Sequence, residues 1–363
     1  MSRPPHRDAP RSHLPTLDGW RAVAIAAVLC CHAHWPTAAL NRLAPYGAMG
    51  VSVFFALSGF LITRRLMEEW RAAGRIHLTG FYIRRAFRIL PPILVYLAVV
   101  SLLGLGWRLI PMDRRQLAAS LFFYRNYLTT PVAQGWYTGH FWSLAVEEHF
   151  YLMWPVLLWC AGLRRARWLA PSLALAVAAW RVADARYDWV GRLNPALRGS
   201  VARTDYRLDI LLFGCAVALV WDEPRVQALL RRTGGSLLAL GAAAAAVCCQ
   251  VWTPPGYLTM VAMLMALLPA ATVSKPASRV GRILELPLLV WVGRMSYSLY
   301  IWQQLFLPPD ELSRIPGIWQ RGPWNLAAIF ACAALSYRLV ERPAMAWGKR
   351  LAGRAAASPA IPG

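Results

Sequence analysis

The chain has 363 residues, 58% of them apolar and 15% charged, with mean hydropathy +0.39 and net charge +22. A soluble domain carries roughly 25% charged residues, so the composition excludes an ordinary soluble enzyme. It also excludes a nucleic-acid-binding reading of the positive charge, because no basic soluble domain stands apart from the apolar blocks; basic loops that fix orientation and meet anionic lipid account for the charge instead.

In chain order, residues 1–14 are rich in Arg, Pro and His and read as a disordered cytoplasmic tail. Apolar blocks follow near 17–35, 47–66, 89–110, 141–161, 167–183, 208–221, 236–252, 256–273, 288–306 and 324–341. Most approach the ~20 residues that a spanning helix needs. The first block has no small-residue cleavage site after it, so it is expected to be a retained span. Gln116–Tyr127 is apolar but too short to span, which predicts a short re-entrant or interfacial helix. Residues 344–363, rich in Ala, Pro and Gly, read as a disordered C-terminal tail, leaving 15–343 as one transmembrane domain.

The expected fold is therefore an all-α polytopic membrane protein, with about ten transmembrane helices plus the one short helix. Lys and Arg are denser in the N-tail and the even-numbered loops than in the odd-numbered ones, which predicts both termini in the cytoplasm. The loop 184–207 departs from that rule, since it is predicted outside yet carries Arg186, Arg192, Arg198, Arg203 and Arg207. The seven cysteines all fall in apolar segments, and neither they nor the histidines have metal-ligand spacing, so no metal is expected.

Ionisable residues inside hydrocarbon-length segments are costly and rarely there without a role. His32 lies in the first block and Glu147 in the fourth, with Glu148 beside it. A histidine titrates near neutral pH and serves as a general base, and a carboxylate can orient it. Arg21 and His32 lie eleven residues apart, about 16 Å and three turns along one helix, so they share a face. Glu147 lies roughly 10 Å down its helix from His140, a depth compatible with His32. Ser143, Glu147, Tyr151 and Trp154 share one helical face, whereas Glu148 points elsewhere, towards structural pairing.

Arg85 and Arg88, at i and i+3 before the third block, are neighbours. Guanidinium forks suit phosphate oxygens, although an orientation-setting basic cluster explains such a pair equally well. Thr204, Arg207 and Asp209 lead into the sixth span and suit either acceptor binding or an interfacial salt bridge.

Seven segments, in order, resemble the acyltransferase 3 family of multipass membrane O-acyltransferases. They are LDGWRAVAIAAVLCCH (17–32), GVSVFFALSGFLI (50–62), FYIRRAFRILPP (81–92), FWSLAVEEHFYLMWP (141–155), TDYRLDILLFG (204–214), VGRMSYSLYIWQQ (292–304) and SYRLVERP (336–343). The resemblance implies transfer of an acyl group, commonly acetyl, from acyl-CoA to a hydroxyl, usually on a carbohydrate or glycolipid of the bacterial envelope, at the inner membrane.

By position, the resemblance makes Arg21 and His32 the family's arginine–histidine motif, Arg85 and Arg88 its paired arginines and Glu147 its acidic position. On this reading His32, Glu147 and Arg21 are the catalytic residues, with His32 the general base and Glu147 its support, and Arg85 with Arg88 holds the acyl-CoA phosphates. Many members read Leu-Trp-His in the ninth-span motif, where this chain has Trp302-Gln303. Longer members carry an extra soluble domain, which this chain is expected to lack. Two alternatives stay open: a proton-coupled transporter or flippase of a glycolipid, since intramembrane His and Glu also serve proton relays, and an acyltransferase acting on a secondary metabolite.

Overall fold

The computed structural model describes residues 14–33, 46–129, 132–232, 235–252, 256–309, 312 and 317–357. These are mostly helical, and no strand forms among the described residues. Helices α1 (Pro15–His32), α2 (Gly47–Ala73) and α3 (Leu78–Ser101) come first, α3 running into a π-helical turn, Leu102–Gly106. Two eight-residue helices follow, α4 (Arg114–Leu121) and α5 (Val132–Gly139), the first covering half of the predicted re-entrant segment, whose far end forms a 3-10 turn at Arg125–Tyr127. The next helices are α6 (Phe141–Tyr187), α7 (Thr204–Val220), α8 (Pro224–Arg232), α9 (Gly235–Trp252) and α10 (Tyr257–Val273). The ninth predicted block is covered by α12 (Pro287–Arg294) and α13 (Ser296–Phe306), broken at Met295, with α11 (Arg279–Leu284) ahead of them. The chain continues in α14 (Trp324–Ser336), a π-helical turn (Tyr337–Glu341) and α15 (Arg342–Ala357).

Helix therefore covers most of each predicted apolar block. Among the described residues, two helices are long and apolar enough by themselves to cross a membrane, Gly47–Ala73 and Leu78–Gly106. The disorder expected from residue 344 gives way to helix α15, which packs on α3. Gly348 lets it approach Phe87 closely, and Trp347 meets the Phe87 ring edge-on at 6.4 Å. The alanine-rich composition that suggested disorder is also good helix-forming composition once a packing partner exists. The tail 1–13 and residues 358–363 lie outside the described residues.

The fourth and fifth blocks form one stretch of helix interrupted at a single residue, Gly162, with φ 70° and ψ 163°. That conformation is essentially restricted to glycine. The two halves run in opposite directions along α7. In the first half, His149 reaches Thr204 (2.7 Å) at the start of α7. In the second, Arg167 pairs with Glu223 (2.7 Å) just past its end, and Arg181 donates to the Tyr206 carbonyl (2.6 Å) back at its start. Gly162 is thus the turn of a helical hairpin. The second half shows α7 a stripe of small buried residues, Ala166, Ala170, Ala174 and Ala178, spaced at i+4.

Close packing of α2 on α7 has the same cause: a side chain on Gly59 would collide with the Leu211 carbonyl, and one on Gly214 with that of Ala56. At one end of this group Asp222 accepts from Arg71 (2.7 Å) and Arg64 (2.9 Å). Burial works against the Asp222 charge, but these bonds outweigh it and hold its carboxyl below the usual range. At the other end Asp209 accepts from Arg181 (2.7 Å), and Arg203 bridges Asp184 (2.9 Å) and Asp205 (2.6 Å).

Candidate active site

Helices α1, α2, α3, α6 and α13 line a half-open cavity of about 790 Å³, the space at its mouth included. Arg21, Arg85 and Arg88 line it together with Glu147 and Glu148. The start of α3 aims its arginines. His77 caps the helix by accepting from the Gly80 N–H (3.0 Å), and Arg84 is tied back to Glu69 (3.3 Å). Arg85 and Arg88, one turn apart, are left facing the cavity. The Arg85 guanidinium lies over the Tyr151 ring, 4.3 Å from its centre, a cation–π contact. Tyr151 in turn shares a 2.5 Å hydrogen bond with Ser58 of α2. Arg21 is oriented by Asp18 (3.2 Å), and Asp18 also reaches Arg294 of α12 (3.4 Å).

One half-enclosed space thus gathers three guanidinium groups, whose forks suit anionic oxygens, and two carboxyl groups. Arg21, which the sequence suggests as a partner of His32, stands electrostatically with Arg85 and Arg88. Ser58, Tyr151 and the two α3 arginines are the groups that act on Glu147. Glu148 differs from expectation: it lines the same cavity as Glu147 and is influenced by Arg85. The cavity is broad enough to be reached from two adjacent positions of α6. Glu341, fully buried in the π-helical turn, accepts from Ser298 (2.9 Å) and sits within the field of Arg88 and Arg21.

His32 stands elsewhere, at the end of α1, among a second group of polar side chains. Its ring meets Trp136 of α5 edge-on at 5.5 Å, and the polar groups acting on it are Gln303 and the Val28 carbonyl. Trp136 donates to the Gln304 carbonyl (3.0 Å). The Gln304 side chain binds His140 twice, through the backbone N–H (3.1 Å) and ring Nδ1 (2.6 Å). No described contact joins Glu147 to His32. Helical rise fixes depth but not the neighbour a residue faces: Glu147 turns towards α2 and α3, His32 towards α5 and α13.

Tyr300 and Ser143 form the partition between the two groups. Both line the arginine cavity, they share a 2.6 Å hydrogen bond, and Tyr300 donates to the His140 carbonyl (3.0 Å). Thr204, Arg207 and Asp209 do not line the cavity. Thr204 accepts from Asn126 (2.8 Å), and Arg207 donates to the Val201 carbonyl (2.9 Å) and lies 5.6 Å from the Trp142 ring centre. Asp209, fully buried, serves its ion pair with Arg181. None of the described cysteines is in a disulfide, and Cys215 is fully buried.

The sequence reading did not reach Ser58, Tyr300, Gln304, His140 or Glu341 as parts of these sites. The readable signal was the density of polar residues in the otherwise apolar α13, SYSLYIWQQLF.

A family model described as an acyltransferase domain matches residues 14–340. A peptidoglycan O-acetyltransferase, OatA of Listeria monocytogenes, is 30% identical over 92% of this chain and 56% of its own length. A putative peptidoglycan O-acetyltransferase, YrhL of Bacillus subtilis, is 29% identical over 95% of this chain and 57% of its own. A putative O-acetyltransferase of Staphylococcus aureus strain COL is 29% identical over 91% of this chain and 57% of its own. The chain thus spans little more than half the length of these relatives. No solved structure matches it.

Proposed function

The chain belongs to the acyltransferase domain family, and from that premise we propose that it is a membrane-embedded, acyl-CoA-dependent O-acyltransferase that acetylates a hydroxyl of an envelope carbohydrate. The observation that carries the reading is the cavity in which Arg21, Arg85 and Arg88 converge. Its chemistry fits the phosphates of acetyl-CoA, which offer several anionic oxygens to guanidinium forks. The names of the Listeria and Bacillus relatives support peptidoglycan as the acceptor class.

In this reading about ten helices cross the bacterial inner membrane, with both termini in the cytoplasm and the Asp222 end of the bundle facing it. The pantetheine arm passes the Tyr300–Ser143 partition towards His32. His32 accepts the proton of the acceptor hydroxyl as its oxygen attacks the thioester carbonyl carbon. The C–S bond then breaks, and the leaving thiolate takes the proton back from the imidazolium. Glu147 holds Arg85 and Tyr151 in place beside the donor.

The test is incorporation of label from radiolabelled acetyl-CoA into envelope glycans, comparing membranes that carry the wild type or His32→Ala at equal protein level. Label that vanishes in the variant supports the reading. Equal label in both removes His32 from the chemistry.

A further inference from the structure

Around His32 the structure leaves complementary polar atoms buried and unpaired. Gln303 is fully buried, and neither its Oε1 nor its Nε2 has a hydrogen-bond partner. The buried Nδ1 of His32 has none either, although Gln303 is the side chain that interacts with the ring. An amide buried without a partner is costly, and so is a buried imidazole N–H. Helix α1 packs on α13, which places these two groups in one buried neighbourhood. His32 as a residue is only half-buried, so its accessible part is not Nδ1.

We propose that Gln303 is the positioning residue for His32: its Oε1 accepts from Nδ1–H, which fixes the tautomer and leaves Nε2 with the lone pair that takes the substrate proton. This inference rests on the reading of His32 as general base. It assigns to a neutral amide the role that the sequence suggested for Glu147. The partner of one ring nitrogen decides which tautomer the other presents. An amide orients the ring without adding negative charge, so the base is held in place without being drawn towards its protonated form. During the reaction Nε2 gains the proton, Nδ1–H stays where it is, and no proton passes to Gln303.

Besides Gln303, the polar group acting on the ring is the Val28 carbonyl one turn back on α1, and Gln303 is the side chain that does so. Helix α2 packs on α1 through Gly47 and Gly50, which bring no charge, while Arg294 of α12 is engaged with Asp18 at the far end of α1. Cys30 and Cys31 precede His32 on its own helix. From α6, His140 is the titratable group whose field overlaps that of His32, and its Nδ1 is already held by Gln304.

The experiment is the pH profile of CoA thiol release from acetyl-CoA by the detergent-solubilised full chain, with soluble peptidoglycan fragments as acceptor. Gln303→Leu removes the acceptor atom at similar volume; kcat is expected to fall about tenfold or more while KM for acetyl-CoA stays put. Gln303→Glu keeps the acceptor and adds a charge. It is expected to recover part of kcat and to move the acid limb of the kcat profile to higher pH, because a neighbouring carboxylate favours the imidazolium.

A wild-type kcat in Gln303→Leu, or an unmoved acid limb in Gln303→Glu, overturns the proposal; if the leucine variant does not fold, the glutamate variant decides alone. His32→Ala, run alongside, separates the two readings. Normal turnover there refutes the parent mechanism. An inactive His32→Ala beside an indifferent Gln303 removes only the positioning role.

Discussion

Replacing both Arg85 and Arg88 by alanine leaves Arg21 in the cavity and is expected to cut the enzyme's preference for acetyl-CoA over acetyl-pantetheine by about tenfold or more. The two donors present the same thioester, but the second lacks the nucleotide phosphates that the arginine cavity would hold. A charge-assisted hydrogen bond contributes about 1.5–3 kcal/mol, roughly 10- to 150-fold in affinity. Arg85 lies over the Tyr151 ring at 4.3 Å and faces the same cavity as Arg21 and Arg88. With those two still present, Arg85→Ala alone is expected to raise KM for acetyl-CoA about tenfold. Arg85→Lys keeps the charge but loses the fork and the full ring contact, at a cost of about 1 kcal/mol or roughly fivefold. The assay is the ratio of kcat/KM for the two donors on one preparation of each variant. Turnover of acetyl-pantetheine should change little in the double variant, since its reacting end is untouched. A donor ratio equal to that of the wild type would refute the reasoning, and the arginines would then serve some other anion.

Four further outcomes follow from the packing. Gly162→Ala puts a Cβ on a residue at φ 70° and ψ 163°, which costs of order 1–3 kcal/mol and should lower the thermal unfolding midpoint in detergent; an unchanged midpoint would mean the hairpin does not turn there. Gly59→Val drives a side chain into the Leu211 carbonyl, so α2 and α7 must separate at a cost of about 1–3 kcal/mol or more, read the same way.

Arg203→Met leaves Asp184 and Asp205 without their shared cation, and breaking a buried pair from one side costs about 3–5 kcal/mol. Burial opposes the charge of Asp184, but the Val190 N–H and Arg203 outweigh it, so its folded pKa lies below the unfolded value. Its contribution is therefore present above the unfolded value and lost as pH falls through the folded one. Asp184→Asn should flatten the decline of the unfolding midpoint below about pH 4. A decline as steep as the wild type's would show that Asp184 is not its source.

Several features were legible in the sequence because they are one-dimensional. Apolar block length placed helix over the predicted segments, and the i, i+3 spacing of Arg85 and Arg88 put them side by side before any partner was known. The shared face of Ser143, Glu147 and Tyr151 follows from helical period alone, and all three line the cavity. The seven ordered motifs pointed to the family whose domain covers residues 14–340.

What the tertiary structure decided is which faces meet. Helical rise put Glu147 at a depth compatible with His32, but the azimuth of a helix in a bundle is set by side-chain packing against all its neighbours, and that turned Glu147 towards Arg85 and His32 towards Gln303. Arg21 joined the α3 arginines and residues from 342 folded as helix for the same reason. Each depends on contacts between segments far apart in the chain, and no local pattern of residues encodes them.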